Sequence, residues 1–242
     1  TADVTGELTT GNIYLQNNKD LIVNGLSNAG TGDIYLYNTT AGTNETMIID
    51  GNVITSNGGD IEIATNGGLT INANITSNDG YIYLDSDYDI DGTGTFVQGT
   101  DSTIDSGSNS TEIYLSGDSV LNDVRGNDVY INFGNNASLS DNYATTLLPS
   151  ITAPYLVING GGNELGGIDL NTAVTNLQIG DFASSVGDIT INNQGALSLS
   201  NWYVSGDPSI ENPGGNVNIT TSSPLNVDAD VLATGDITLI AG

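Results

Sequence analysis

Gly59-Asp60-Ile61-Glu62-Ile63-Ala64-Thr65-Asn66-Gly67-Gly68-Leu69-Thr70-Ile71-Asn72-Ala73-Asn74-Ile75-Thr76-Ser77-Asn78-Asp79-Gly80 is the stretch that decides the fold of this chain. Asp60–Ile63 alternates apolar and polar residues, Gly67-Gly68 makes a turn, Leu69–Asn72 is a second strand and Asn74–Thr76 a third. Period-2 alternation bounded by Gly and Asn clusters is the signal of strands and turns. Three strands in so few residues leave no room for hairpin loops. They fit one coil of a parallel β-helix, with each strand pairing to its equivalent one coil on, about 4.8 Å away.

The opening phrase of that stretch recurs. Gly11-Asn12-Ile13-Tyr14-Leu15, Gly32-Asp33-Ile34-Tyr35-Leu36, Gly80-Tyr81-Ile82-Tyr83-Leu84, Gly187-Asp188-Ile189-Thr190-Ile191, Gly215-Asn216-Val217-Asn218-Ile219 and Gly235-Asp236-Ile237-Thr238-Leu239 repeat it. Recurrence at this period marks stacked repeats in which one unit cannot bury its own apolar face. The basic unit is about 20–21 residues, lengthened in places by loop insertions. No segment has a sustained helical period. The expected architecture is all-β: a single elongated, right-handed parallel β-solenoid over 1–242.

The middle is less regular, with an inserted region about 137–167. Pro149 and Pro154 cannot serve a central ladder, so Thr145–Pro154 is expected to project as a loop, with Tyr155 restarting a strand. Pro208 and Pro213 bracket a second expected loop.

Alternation points Ile and Leu of the phrase inward and the intervening residue outward. Tyr14, Tyr35, Tyr83, Tyr114 and Tyr130 take that outward slot, and in register they would form an aromatic ladder on one face. Thr190, Asn218 and Thr238 would continue the slot in later coils. Exposed aromatics stack on sugars or proteins. They also stabilise a sheet by stacking on one another, and that structural role is favoured.

The chain carries 29 acidic and 2 basic residues, a formal charge of −27. Such a field repels nucleic acid and anionic membrane surfaces. No stretch approaches the roughly 18 apolar residues of a membrane helix, so neither nucleic-acid binding nor membrane insertion is expected. Thr1 stands where an initiator Met would, which fits removal of a signal peptide.

There is no His, no Cys, one Lys and one Arg. This excludes nucleophilic triads, leaves a polysaccharide lyase without its cationic groups, and leaves only a paired-carboxylate glycosidase. No such pair stands out, so the chain is expected not to be an enzyme. Asp87, Asp89 and Asp91 followed by Gly92 match the opening of a calcium loop, although Gln98 stands where its bidentate Glu would be. Ca²⁺ is the only cofactor suggested, against the plain alternative of outward Asp residues in an Asp-rich chain. Asn38, Asn44, Asn74, Asn109, Asn136 and Asn218 head N-glycosylation sequons, at about the number chance would produce.

Leu225-Asn226-Val227-Asp228-Ala229-Asp230-Val231 and Gly235-Asp236-Ile237-Thr238-Leu239 resemble the repeats of filamentous-haemagglutinin-type adhesins. These are large bacterial exoproteins exported by two-partner secretion. The resemblance implies a secreted, non-enzymatic structural or adhesive solenoid of a bacterial or archaeal cell surface, a segment of a large adhesin that contacts cell-surface protein or glycan. A self-assembling filament or sheath subunit, pairing end to end or laterally, is the alternative; a polysaccharide-acting β-helix enzyme is more distant.

Overall fold

A computed structural model describes every residue except 1, 41, 43, 56, 135, 136, 143–147 and 205. The described residues form 24 strands and no helix, and every strand pairing is parallel. The all-β, solenoid-like stack expected from the repeats is therefore present.

The strands fall into three rows. In the first, Ile13 pairs with Ile34, Ile34 with Ile61 and Ile61 with Ile82. The row continues through Ser110–Leu115, Asp128–Phe133 and residues 155–159. The second runs from Ala2 through Leu21, Met47, Leu69, Phe96, Asp118–Leu121 and Ala137–Asp141 to residues 168–172. It ends in Ile189–Asn193, Val217–Thr221 and Ile237–Ala241. The third joins Leu26, Val53, Ile75, Ile104, Val124 and Ile151. Farther on, Leu177, Leu199 and Val227 follow the second row, and Ile179, Ile210 and Val231 lead to the next coil.

Inward side chains stack coil on coil. Ile34, Ile61, Ile82, Ile113 and Ile131 of the first row are fully buried, as are Met47, Leu69, Phe96 and Ile189 of the second. Burial of each aliphatic side chain contributes roughly 1.5–3 kcal/mol. The corners are closed by small buried polar side chains that satisfy turn carbonyls. Thr55 Oγ1 donates to Gly59 O (2.6 Å) and Ser77 O (2.8 Å), and Asn122 Nδ2 to the carbonyls of Thr100 and Ser102 (3.0 Å each).

Coil stacking explains both polar residues of the repeated phrase. A Cβ on Gly32 would sit 1.9 Å from Gly11 O, one on Gly59 2.1 Å from Gly32 O, and one on Gly80 2.2 Å from Gly59 O. Only glycine permits this approach. The next residue carries a short acceptor: Asn12 Oδ1 takes the Asp33 N–H (3.0 Å), Asp33 Oδ1 that of Asp60 (2.9 Å) and Asp60 Oδ1 that of Tyr81 (2.8 Å). The same device recurs where a Cβ on Gly187 would meet Gly166 O at 1.9 Å, and Asp188 Oδ1 takes the Asn216 N–H at 2.8 Å.

Three expectations need correction. The C-terminal phrases lie in the second row, so Thr190, Asn218 and Thr238 stack on one another and do not extend the tyrosine face. The region about 137–167 carries ladder strands at both ends, Ala137–Asp141 and the run Ile151–Ser185, and Pro154 sits within that run. Its missing N–H costs nothing there, because it lies between the pairing stretches 151–152 and 155–159. The described residues 200–204 and 206–209 form no strand, and Ile210–Asn212 between Pro208 and Pro213 is a strand.

Candidate functional site

The outward face of the first row carries most of the aromatic side chains. Its register runs Tyr14, Tyr35, Glu62, Tyr83, Glu112, Tyr130, Val157. Two glutamates, Glu62 and Glu112, interrupt the column, so the five tyrosines do not stand in one register. Tyr114 belongs to the neighbouring column, paired with Asp85 and Asn132. Alternation alone located the face; register, which varies with coil length, decided the column.

The rings gather into three groups. Tyr14, Tyr35 and Tyr37 lie with centroids 5.6–6.4 Å apart, and Tyr14 remains 63% exposed. Tyr83 and Tyr114 lie 5.4 Å apart. In the third group, Trp202 lies 4.6 Å from Tyr155 and 6.4 Å from Tyr130, and Tyr203 lies 5.5 Å from Tyr130. Trp202 and Tyr203 follow the strand Leu197–Leu199 and fold back over strands of earlier coils. A single Trp in a Pro-flanked, polar loop is the signal in the sequence that could have singled it out.

These hydroxyls are donors. Tyr35 donates to Asp33 Oδ2 and Tyr83 to Asp85 Oδ2 (3.0 Å each), and Tyr81 donates to Glu112. Burial and these carboxylate bonds raise Tyr35, Tyr81 and Tyr83, and Tyr114 is pushed up to about 12 by burial and the neighbouring Glu112. Asp85 is buried beneath Tyr83, and burial pushes its carboxyl up to about 6 despite hydrogen bonds from the Asp87 N–H and the Tyr83 hydroxyl.

Two cavities open on this face. One of about 430 Å³ is lined by Tyr83, Asp85, Tyr88, Ile90, Tyr114 and Asn132, among others. The second, about 390 Å³, includes Gln178, Asp181, Tyr203 and Glu211. Asn159 lines both. Their walls come from opposite corners: residues 86–95 leave the first-row strand Ile82–Asp85, and Tyr203, Val204, Asp207 and Pro208 precede Ile210–Asn212. Neither lining contains Lys or Arg.

Asp87, Asp89 and Asp91 do converge, each with a carboxylate oxygen within 4.8 Å of the others. The loop itself uses two of them: Asp87 accepts the N–H groups of Asp91 (3.2 Å) and Gly92 (2.9 Å), and Asp91 accepts that of Thr93 (2.9 Å). Gln98 lies in the second row, donating to the carbonyls of Ser102 and Asp123. A helix–loop–helix ligand set is therefore not assembled.

Asn38 is fully buried and donates to Thr46 O (3.2 Å), so its sequon has no room for a glycan. Asn44 and Asn109 are exposed, and Asn74 and Asn218 half-buried. Asn136 lies outside the described residues. No helix among the described residues is long and apolar enough to cross a membrane. No protein-family model, curated protein or solved structure matches the chain, so its class rests on the fold: a parallel β-solenoid with an aromatic face.

Proposed function

We propose that this chain is a non-catalytic, adhesive segment of a secreted surface protein, built as a right-handed β-helix with a basic coil of about 20–21 residues. Bacterial or archaeal cell surfaces are its setting, as part of a large adhesin. The observation that carries the reading is the aromatic face of the first row. A stiff stack of coils presents rings from widely separated positions, Tyr14 to Tyr203, along one side of the molecule. Solenoids use such long surfaces for binding. The scarcity of catalytic side chains, with no His or Cys, supports a binding role.

The test is immunological. Antibody raised against the folded chain should label intact, unpermeabilised cells of the source organism, and deleting the gene should lower attachment to surfaces. Labelling that requires permeabilisation would overturn the proposal.

A further inference from the structure

We propose that the paired cavities of the first-row face form one groove for an uncharged polysaccharide strand. This gives the adhesive reading a ligand class, and rests on it only for the setting in which the polymer is met.

Three observations converge on the groove. First, its platforms suit sugars. Tyr114 stands in one cavity and Tyr203 in the other, Tyr155 and Trp202 lie beside them, and Trp202 and Tyr203 are 38% and 50% exposed. Ring faces pack on the apolar C–H faces of pyranoses, and partly exposed aromatics that hold each other in place lose little freedom on binding.

Second, amides span the space between the platforms. Asn159 Nδ2 donates to Asn132 Oδ1 (3.3 Å), and Asn132 Nδ2 donates to Glu112 Oε1 (2.9 Å). Each amide has two N–H groups and this chain occupies one, leaving a second donor for a hydroxyl. The chain crosses three consecutive first-row strands, so polar groups recur along the axis at the coil spacing, about 4.8 Å. A polymer with hydroxyls on every unit meets them repeatedly.

Third, both rims hold non-glycine residues at positive φ: Ile90 at 59° and 81% exposed in one cavity, Asp181 at 62° in the other. A β-branched side chain is strained there, and such strain concentrates at binding sites.

Charge selects among polymers. With no cation in either lining and acidic side chains in both, polyanions such as uronates and sulfated glycans are excluded. A cationic peptide is the competing occupant. Within the first cavity the carboxylates of Asp85 and Asp87 are already taken by the Tyr83 hydroxyl and loop N–H groups, while the rings and amide donors stay open. In the first cavity that balance favours a neutral chain; the second adds Asp181, Asp207 and Glu211, so the salt dependence of binding is what separates the two occupants.

Affinity electrophoresis of the purified chain in gels containing hydroxyethyl cellulose, galactomannan or dextran provides the test. At least one should retard the protein, with little dependence on salt. The single Trp gives a second readout, because its emission should shift on titration with the retarding polymer. Trp202→Ala and Tyr114→Ala should each weaken binding about tenfold, with melting temperatures within a few degrees of wild type, since both side chains lie outside the core. Asn159→Ala covers the amide chain. No retardation by any neutral polymer, retardation that survives all three substitutions, or salt-sensitive binding to poly-L-lysine alone would overturn the proposal. Surface labelling of cells is independent of all these outcomes, so failure here leaves the surface reading standing, and the reverse also holds.

Discussion

The same five-residue phrase builds two different faces in the two halves of this molecule. Toward the N-terminus its glycines, Gly11, Gly32, Gly59 and Gly80, stack at the entrance to the first row. Toward the C-terminus, Gly166, Gly187 and Gly215 stack at the entrance to the second. The stacking chemistry is shared: a carbonyl too close for any Cβ and, where Asn or Asp follows the glycine, a side-chain oxygen that takes the next coil's N–H. What differs is the outward residue: Tyr14, Tyr35, Glu62 and Tyr83 in one half, Thr190, Asn218 and Thr238 in the other. The phrase is a device for joining coils, and it is indifferent to which face it serves. Beyond the last phrase of the first row, Trp202 and Tyr203 pack on Tyr130 and Tyr155 and wall the groove.

The largest effect should come from the glycine column. Gly59→Ala and Gly187→Ala should each cost more than about 3 kcal/mol, because backbone carbonyls rather than flexible side chains block the new Cβ. Gly195→Ala, at φ 96° with open space around it, should cost only about 1 kcal/mol. Denaturant unfolding measures all three. A mild effect at Gly59 with a severe one at Gly187 would show that the two columns are not one device.

Next in size is Asp85, which belongs only to the groove half. Its folded pKa lies above the ordinary value of about 3.9. The stability it contributes is therefore fully present below that value and is lost as pH rises through about 6. Asp85→Asn should stabilise the protein by on the order of 2 kcal/mol near neutral pH and flatten the profile between about pH 4 and 6. Melting curves across that range check it, and an unchanged slope would remove Asp85 as its source.

Asp188 has the opposite sign. Hydrogen bonds from the Asn216 backbone N–H and side chain hold its carboxyl below the usual range. Its contribution is present above the unfolded value and is lost as pH falls. Asp188→Ala and Asp60→Ala should each cost about 1 kcal/mol, since each strips one acceptor from a coil junction. Equal losses would support a shared device in the two halves.

The smallest effect probes the outward slot itself. The double change Thr190→Tyr with Asn218→Tyr places two rings in register on the second-row face. It should leave stability unchanged or raise it by about 0.5 kcal/mol. A large loss would mean that the slot is not free to vary.

Much of the fold was legible in the residues. Alternation located the inward Ile and Leu, and the recurrence of the phrase Gly59–Ile63 identified the stack. The groove was not legible, because it depends on register. Tyr83 and Tyr114 look equivalent in their phrases, yet a longer coil between them shifts Tyr114 into the neighbouring column. Trp202, far along the chain, meets Tyr130 and Tyr155 only because its loop folds back over earlier coils. The Asp87–Asp91 spacing looked like a cation loop. In the structure the three carboxylates converge, and Asp87 and Asp91 also close the loop, since a carboxylate two to five residues before an N–H is the simplest acceptor for a turn.

Local pattern by itself determined that this chain stacks parallel strands, which side of each strand is buried, and that its field is strongly acidic, because each depends on residue type and short-range alternation. Which row a phrase joins, which rings share a column and what walls the groove were decided only by the tertiary structure. They depend on the summed lengths of whole coils and on contacts between residues dozens of positions apart, and no local pattern encodes those.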